Sequence, residues 1–271
     1  MHNFRVISIH GAPRSGTSWL GKIFDSHPDV AYRFQPLFSY RFKNAISENS
    51  SIEEVDQFFE DLYDIKNDEF ILQQRQKSSG VHPKNFIKNS CPSALVMKEV
   101  RYHYLIKTML TKVSGIKIIG VVRHPCGAIN SWLKTPREFH PEWNQLREWR
   151  TAESKNQFRI EEYYGFEKWR ELAATFLDLS LQYPSSFKLV RYEDMVEHPI
   201  KTISDLFAFA GLPMHAQTEE FLISSQAKEM EDPDTVFRLS DVAHRWKREL
   251  LPEISDAILH EVADSDLRIF L

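Results

Sequence analysis

The sequence predicts an α/β protein of three layers, with helices on both faces of a central, mainly parallel sheet. Two observations predict it. "IKIIGVV" and "ALVMK" are near-continuous apolar runs, the pattern of strands covered on both faces. Helical periodicities lie between the strand candidates, and strands that alternate with helices form parallel sheets sandwiched by helices. The chain has 271 residues, 42% of them hydrophobic and 27% charged. That length suits one large domain, 1–271, able to bury a core without disulfide or metal staples.

The elements follow in order. Phe4–His10 is the first strand and Thr17–Ser26 the first helix. Val30–Phe34 is a weaker strand candidate. Ile52–Tyr63 is an amphipathic helix with Ile52, Val55, Phe59 and Leu62 on one stripe and acidic residues facing water. Then come strand Ala94–Lys98, helix Tyr104–Val113, strand Ile116–Arg123 and helix Gly127–Lys134. Helix Glu161–Leu181, strand Phe187–Tyr192 and helices Lys201–Ala210 and Pro252–Ala263 complete the chain. Two polar segments, near 39–92 and 135–165, fit no sheet element. They read as insertions of the kind on which α/β enzymes build substrate specificity. There is no internal repeat and no low-complexity tract.

Charge and cysteines narrow the function. The net charge of −4 gives no general case for nucleic acid or an anionic membrane, so any anion site must be local. The N-terminal stretch "MHNFRVISIH" lacks the apolar region of a signal peptide, and no run approaches the length of a membrane span. The expectation is a soluble, cytoplasmic protein. Cys91 and Cys126 read as free thiols. Cys126, near a predicted helix start, reads as an inert small residue.

The chemistry sits in two loops. "GAPRSGTSW" (11–19) follows the first strand and opens a helix, so backbone N–H groups and the positive helix end can face an anion. Gly11 and Gly16 have the spacing of a triphosphate-binding loop, but Thr17 and Ser18 stand where Lys and Ser/Thr should follow, and the charge sits at Arg14. "IIGVVRHPCGAINSWL" (118–133) repeats the plan. Its strand ends in Arg123 where a triphosphate enzyme would place a magnesium-binding Asp, and Ser131 lies about two helical turns further on. Arginine suits phosphate and not metal. No H-E-x-x-H metal motif is present. Two anion sites beyond adjacent parallel strands suggest a nucleotide phosphorylated at both ends of its ribose.

These two motifs resemble the 5′-phosphosulfate and 3′-phosphate loops of sulfotransferases that use 3′-phosphoadenosine 5′-phosphosulfate (PAPS), which have a fold like that of P-loop NTPases. "LVRYEDM" (189–195) is similar to that family's third signature, and "HRWKREL" with the segment after it resembles the C-terminal end of the carbohydrate-type branch. The resemblance implies PAPS as co-substrate, released as adenosine 3′,5′-bisphosphate, with no metal. It implies that Arg14, Ser15, Gly16, Thr17 and Ser18 hold the phosphosulfate and that Arg123 and Ser131 hold the 3′-phosphate. It further implies that Tyr192 contacts the adenine end and that Arg245 and Lys247 close over the nucleotide. Arg14 is then catalytic as well, stabilising charge on the bridging oxygen. The carbohydrate-like motifs imply a sugar hydroxyl as acceptor, in a glycan, glycolipid or small glycoside, with a peptide tyrosine or a small metabolite as the alternatives.

The general base departs from the family pattern. Carbohydrate-type members have "E-P" after the second strand, whereas this chain has "RFQPLF", and the amide of Gln35 cannot be a base. The substitute is Glu99 in "VMKEVR", with Lys98 and Arg101 expected to favour its ionised form. Gln35, Lys98 and Arg101 are the expected acceptor-binding residues, and His103 and His124 are lesser candidates for the base. Two alternatives remain: a homologue that binds nucleotide without catalysis, motivated by Gln35, and a P-loop kinase-type ATP enzyme.

Overall fold

The computed structural model describes residues 2–74, 86–227 and 240–271. Its five strands are β1 (Arg5–His10), β2 (Val30–Phe34), β3 (Ala94–Glu99), β4 (Lys117–Val122) and β5 (Phe187–Arg191). They form one sheet in the order β2-β3-β1-β4-β5, and every pairing is parallel. β3 reads ALVMKE and is buried at every residue, as a central parallel strand requires.

The helices are α1 (Thr17–Asp25), α2 (Ile52–Tyr63), α3 (Ile106–Lys112), α4 (Pro125–Leu133), α5 (Gln145–Thr151), α6 (Phe166–Gln182), α7 (Tyr192–Glu197), α8 (Pro199–Ala210), α9 (Ala216–Ala227), α10 (Trp246–Glu249) and α11 (Pro252–Ala263). Two apolar cores flank the sheet. One joins α2, α3, α4, α6 and α11 to one face through residues such as Phe59, Met109, Trp132, Phe176 and Ile258. The other joins α1, α7, α8 and α9 to the opposite face through Trp19, Phe24, Met195, Phe207 and Leu222. Helices α1 and α4, which leave the adjacent strands β1 and β4, thus lie on opposite faces. The strand order reverses there, and the crevice between the two strand ends is the place where open α/β sheets bind ligands.

Several expectations needed adjusting. Ile52 is 54% exposed and leaves the α2 stripe, which Val55, Phe58, Phe59 and Leu62 form instead. Ser51 caps α2 in a reciprocal box with Glu54, so Ile52 is a first-turn residue that is not needed to bury the helix. The helix expected at Glu161–Leu181 begins at Phe166, after Gly165 in a positive-φ conformation. The 135–165 insertion contains α5 and a short turn Glu153–Asn156. Part of the 39–92 insertion, 75–85, lies outside the described residues. Both cysteines are free thiols. Burial pushes the Cys126 thiol up to about 12, which makes it inert as expected. Among the described residues no helix is long and apolar enough to cross a membrane.

Candidate active site

The strand register sets out the site along the carboxyl edge of the sheet. Phe34 pairs with Lys98 and His10 with Glu99, so Gln35, Glu99 and His10 come side by side where β2, β3 and β1 end, with Gly11 just beyond. Arg123 follows the end of β4, and Val122 pairs with Arg191, the residue before Tyr192.

The first loop is held in a tight curl. Arg14 and Gly16 both adopt left-handed backbone, φ 70° and φ 91°. That conformation costs a non-glycine residue energy, which makes Arg14 a marker of function. A Cβ on Gly16 would lie 2.4 Å from the Tyr192 ring, so only glycine lets the loop rest on that ring. Ser15 and Thr17 are buried and Ser18 is exposed. The Arg14 side chain donates from Nε to Ser131 Oγ at 3.2 Å and lies 3.8 Å from Glu138.

The second loop locks onto the first. Arg123 donates from Nη1 to the Arg14 carbonyl (3.1 Å) and from Nη2 to the Val242 carbonyl (2.9 Å), and its guanidinium lies 4.7 Å from the centre of the Tyr192 ring. Its Nε is buried without a hydrogen-bond partner, and so are Ser15 Oγ and the Tyr192 hydroxyl. A Cβ on Gly127 would meet Arg123 Nε at 3.0 Å, so glycine keeps this side of the arginine open. The two loops thus meet at Arg14, Arg123 and Ser131, with Gly16 resting on the Tyr192 ring. Tyr192 is fully buried beneath Gly16 and Arg123, and its hydroxyl has no hydrogen-bond partner.

The two expected nucleotide contacts of the C-terminal segment are at the surface. Arg245 is exposed, near enough to Arg123 for their charges to interact. Lys247, also exposed, lines a cavity with His124, Arg191 and Glu193.

A second cluster adjoins the first. Lys98 is 1% exposed, sits 4.2 Å from the centre of the Phe34 ring and feels the charges of Glu138 and Arg14. Burial pulls its ammonium down to about 7. Glu99 is wholly buried, with Oε1 accepting the Leu37 N–H at 2.8 Å and Oε2 unpartnered. Lys98 and Arg101 favour its ionised form, as expected, but they do not prevail. Desolvation outweighs the Leu37 bond, Lys98 and Arg101, and raises Glu99 to about 8. Arg101 is bound by Glu162 (Nε to Oε2, 2.8 Å) and donates from Nη1 to Gln35 Oε1 at 3.1 Å. The left-handed Gln35, φ 42°, thus positions Arg101.

The other histidine candidates stand apart from this cluster or are sealed. His124 stacks on Trp246, with ring centroids 4.5 Å apart, and burial lowers it to about 4. His103 is buried against His10, Nδ1 to Nδ1 at 3.1 Å, and His10 Nε2 bonds Ser8 Oγ at 2.7 Å. Sequence reasoning missed the partners Glu138, Glu162 and Glu193; the last accepts the His124 backbone N–H at 3.0 Å. Glu193 lies within "RYED", where the tyrosine alone was singled out. Glu138 and Glu162 belong to no motif, and only folding brings them to the site. Among the described residues no group of three or more His, Cys, Asp or Glu side chains is arranged to hold a metal ion.

Comparison with known proteins agrees with this geometry. A model of the sulfotransferase family matches residues 7–216, more than three-quarters of the chain. Carbohydrate sulfotransferase 3 of Tetronarce californica is 22% identical over 267 residues, covering 77% of this chain and 58% of that protein. The human carbohydrate sulfotransferase 3 is 25% identical over 111 residues, covering 40% of this chain and 22% of its own length. The chain thus spans at most about three-fifths of the length of these curated relatives. A mouse sulfotransferase solved in complex with PAP superposes with a TM-score of 0.58 at 17% identity, covering 99% of this chain and 88% of that one, which shows a shared fold.

Proposed function

This chain belongs to the sulfotransferase family, and from that premise we propose that it moves a sulfonate group from PAPS to an acceptor hydroxyl, most readily one on a carbohydrate or glycoconjugate. One observation carries the reading. Two donor-rich loops meet at the β1–β4 crevice, tied by Arg123 to the Arg14 carbonyl at 3.1 Å, with buried Arg123 Nε and Ser15 Oγ left unpartnered. Unpaired buried polar atoms are rare, and these fit a ligand rich in phosphate oxygens.

PAPS, when bound, supplies a sulfur activated for in-line displacement. The protein does the rest. Arg123 Nε and Ser131 hold the 3′-phosphate, and Ser15, Thr17 and the helix start at Gly16–Ser18 hold the 5′ end. Arg14 is fixed by Ser131 and Glu138 next to this helix start, where its charge stabilises the oxygen that gains negative charge as the S–O bond breaks. Glu99 takes the proton from the attacking hydroxyl. Its raised pKa makes it a stronger base than an ordinary carboxylate once ionised. Lys98 and Arg101, on the same edge of the sheet, orient the acceptor. Arg14→Ala is expected to lower kcat by the equivalent of about 3–4 kcal/mol, the usual loss for one such donor.

The deciding experiment is calorimetric titration with adenosine 3′,5′-bisphosphate against ATP with magnesium, using wild type and Arg123→Ala. Metal-independent bisphosphate binding, weakened roughly tenfold or more by the substitution, supports the reading. Binding of ATP with magnesium alone would overturn it. A screen with labelled PAPS then separates an enzyme from a homologue that only binds nucleotide.

A further inference from the structure

Three phenylalanines form an apolar patch beside the candidate base. The Phe34 and Phe70 rings meet edge to face with centroids 5.5 Å apart, and the Phe38 ring lies 6.1 Å from Phe70. Phe38 is 42% exposed and Phe70 40%, while Phe34, the last residue of β2, is half-buried. Apolar side chains scattered singly are ordinary, whereas contiguous ones mark sites of binding. Leu37, the neighbour of Phe38, donates its N–H to Glu99 Oε1 at 2.8 Å. The Lys98 ammonium lies 4.2 Å from the centre of the Phe34 ring, and the Arg101 guanidinium 4.1 Å from the centre of the Phe38 ring. An acceptor whose hydroxyl reaches Glu99 therefore brings its neighbouring atoms to the Pro36–Phe38 turn.

Both exposed rings stand on fixed backbone. The turn is closed by the Phe38 N–H, which donates to the Gln35 carbonyl at 3.1 Å, and by the Ser39 hydroxyl, which donates to the Pro36 carbonyl at 2.7 Å. The Phe70 N–H donates to Asp68 at 3.0 Å, and the Ile71 carbonyl accepts from the Phe34 N–H at 2.9 Å. Rings held in place beforehand lose little freedom when a ligand binds.

The polar groups under the rings are already engaged. Arg101 serves Glu162 and Gln35, and Glu99 Oε1 serves Leu37, which leaves Glu99 Oε2 for the reacting hydroxyl. A polyhydroxylated ring laid on the patch would lose water from hydroxyls that find few partners there. An alkyl or aryl group would bury apolar surface at no such cost. Given the sulfotransferase reading, on which this rests, we propose that Phe34, Phe38 and Phe70 form a subsite for an apolar aglycone. The sulfated hydroxyl then belongs to an alkyl or aryl glycoside and not to a polysaccharide.

The test titrates the protein, loaded with adenosine 3′,5′-bisphosphate, with methyl and n-octyl β-D-glucopyranoside, the latter below its micelle concentration, using saturation-transfer NMR. The two probes share one sugar, so their difference reads the aglycone alone. The octyl glycoside should bind at least about tenfold tighter, which burial of only two methylenes already provides. Phe38→Ser and Phe70→Ser should each cut this preference about threefold or more, and the double variant should remove it. Leu181→Ser, exposed on α6 just before β5 begins at the opposite edge of the sheet, should leave it unchanged. Melting temperatures report whether each variant is folded. Equal affinity for the two glycosides, binding of neither, or a preference that survives in the folded double variant would each overturn the subsite. Transfer from labelled PAPS to both glycosides at the same kcat/KM would also overturn it while leaving the sulfotransferase reading intact. A protein that binds no bisphosphate would strike that reading, and this proposal with it.

Discussion

At the scale of single residues, burial decides the protonation of Glu99 and Lys98. Glu99 stands beside two cationic residues in sequence, yet the loss of water around its buried charged form outweighs both of them and its Leu37 hydrogen bond. Two consequences follow from a folded pKa of about 8 against an unfolded value of about 4.3. The rate of an enzyme using Glu99 as base should rise with pH up to about 8, and Glu99→Gln should abolish that rise and most of the turnover. A pH–rate profile checks it, and full activity in Glu99→Gln would assign the base elsewhere. For stability, the folded state keeps a proton that the unfolded state has released. The contribution of Glu99 is therefore fully present below about 4.3 and is lost as pH rises to about 8. Lys98 acts with the opposite sign above about 7, because its folded pKa is lowered and stability gains as pH rises. Denaturant melts of wild type and Glu99→Gln between these limits should show wild type losing stability relative to the variant as pH increases.

At the scale of elements, two glycines do different work in the two loops. Gly16 needs its left-handed backbone and also its missing Cβ, because Tyr192 fills the space. Gly16→Ala is expected to cost at least about 1–3 kcal/mol of stability from backbone strain alone, in addition to the clash, and to remove bisphosphate binding. A Cβ on Gly127, within α4, would meet Arg123 Nε at 3.0 Å and the Ala243 carbonyl at 3.7 Å, the latter an ordinary contact. Gly127→Ala gains helix propensity but, by displacing Arg123, strains its hydrogen bonds to the Arg14 and Val242 carbonyls, so the melting temperature should fall less than in Gly16→Ala while bisphosphate binding weakens. Paired thermal melts and calorimetry separate the two outcomes. Equal effects of the two substitutions would contradict the division of roles between loop floor and arginine cradle. The elements themselves were largely readable: Val30–Phe34 and Ile52–Tyr63 have the bounds that their patterns indicate. The short helices α5, α7 and α10 carry too few turns for a periodic pattern to reveal them.

At the scale of the whole molecule, the crevice depends on strand order. β1 and β4 are neighbours in the sheet but separated by two strands in sequence, and their helices leave to opposite faces. A ligand bridging both loops therefore ties the two halves of the sheet together. Saturation with adenosine 3′,5′-bisphosphate at about a hundred times Kd should stabilise the fold by about 2.7 kcal/mol. The gain should be unchanged by EDTA and lost in Arg123→Ala. Differential scanning calorimetry measures all three, and a gain that requires magnesium would point to a triphosphate instead.

The sequence by itself determined the layered α/β fold, the two anion loops and the family. Those features rest on local patterns: apolar runs, glycine spacing and basic residues at strand ends, all within about twenty residues of one another. It also indicated that Gln35 could not be the base, since an amide has no proton affinity to offer. Only the tertiary structure decided what surrounds each group. It brought Glu138 to Arg14, Glu162 to Arg101 and Trp246 to His124, and it sealed Glu99 from solvent. Desolvation and partner charges act through space between residues far apart in the chain, so the protonation of Glu99 and the Phe38 ring over Arg101 appear only when the sheet is closed.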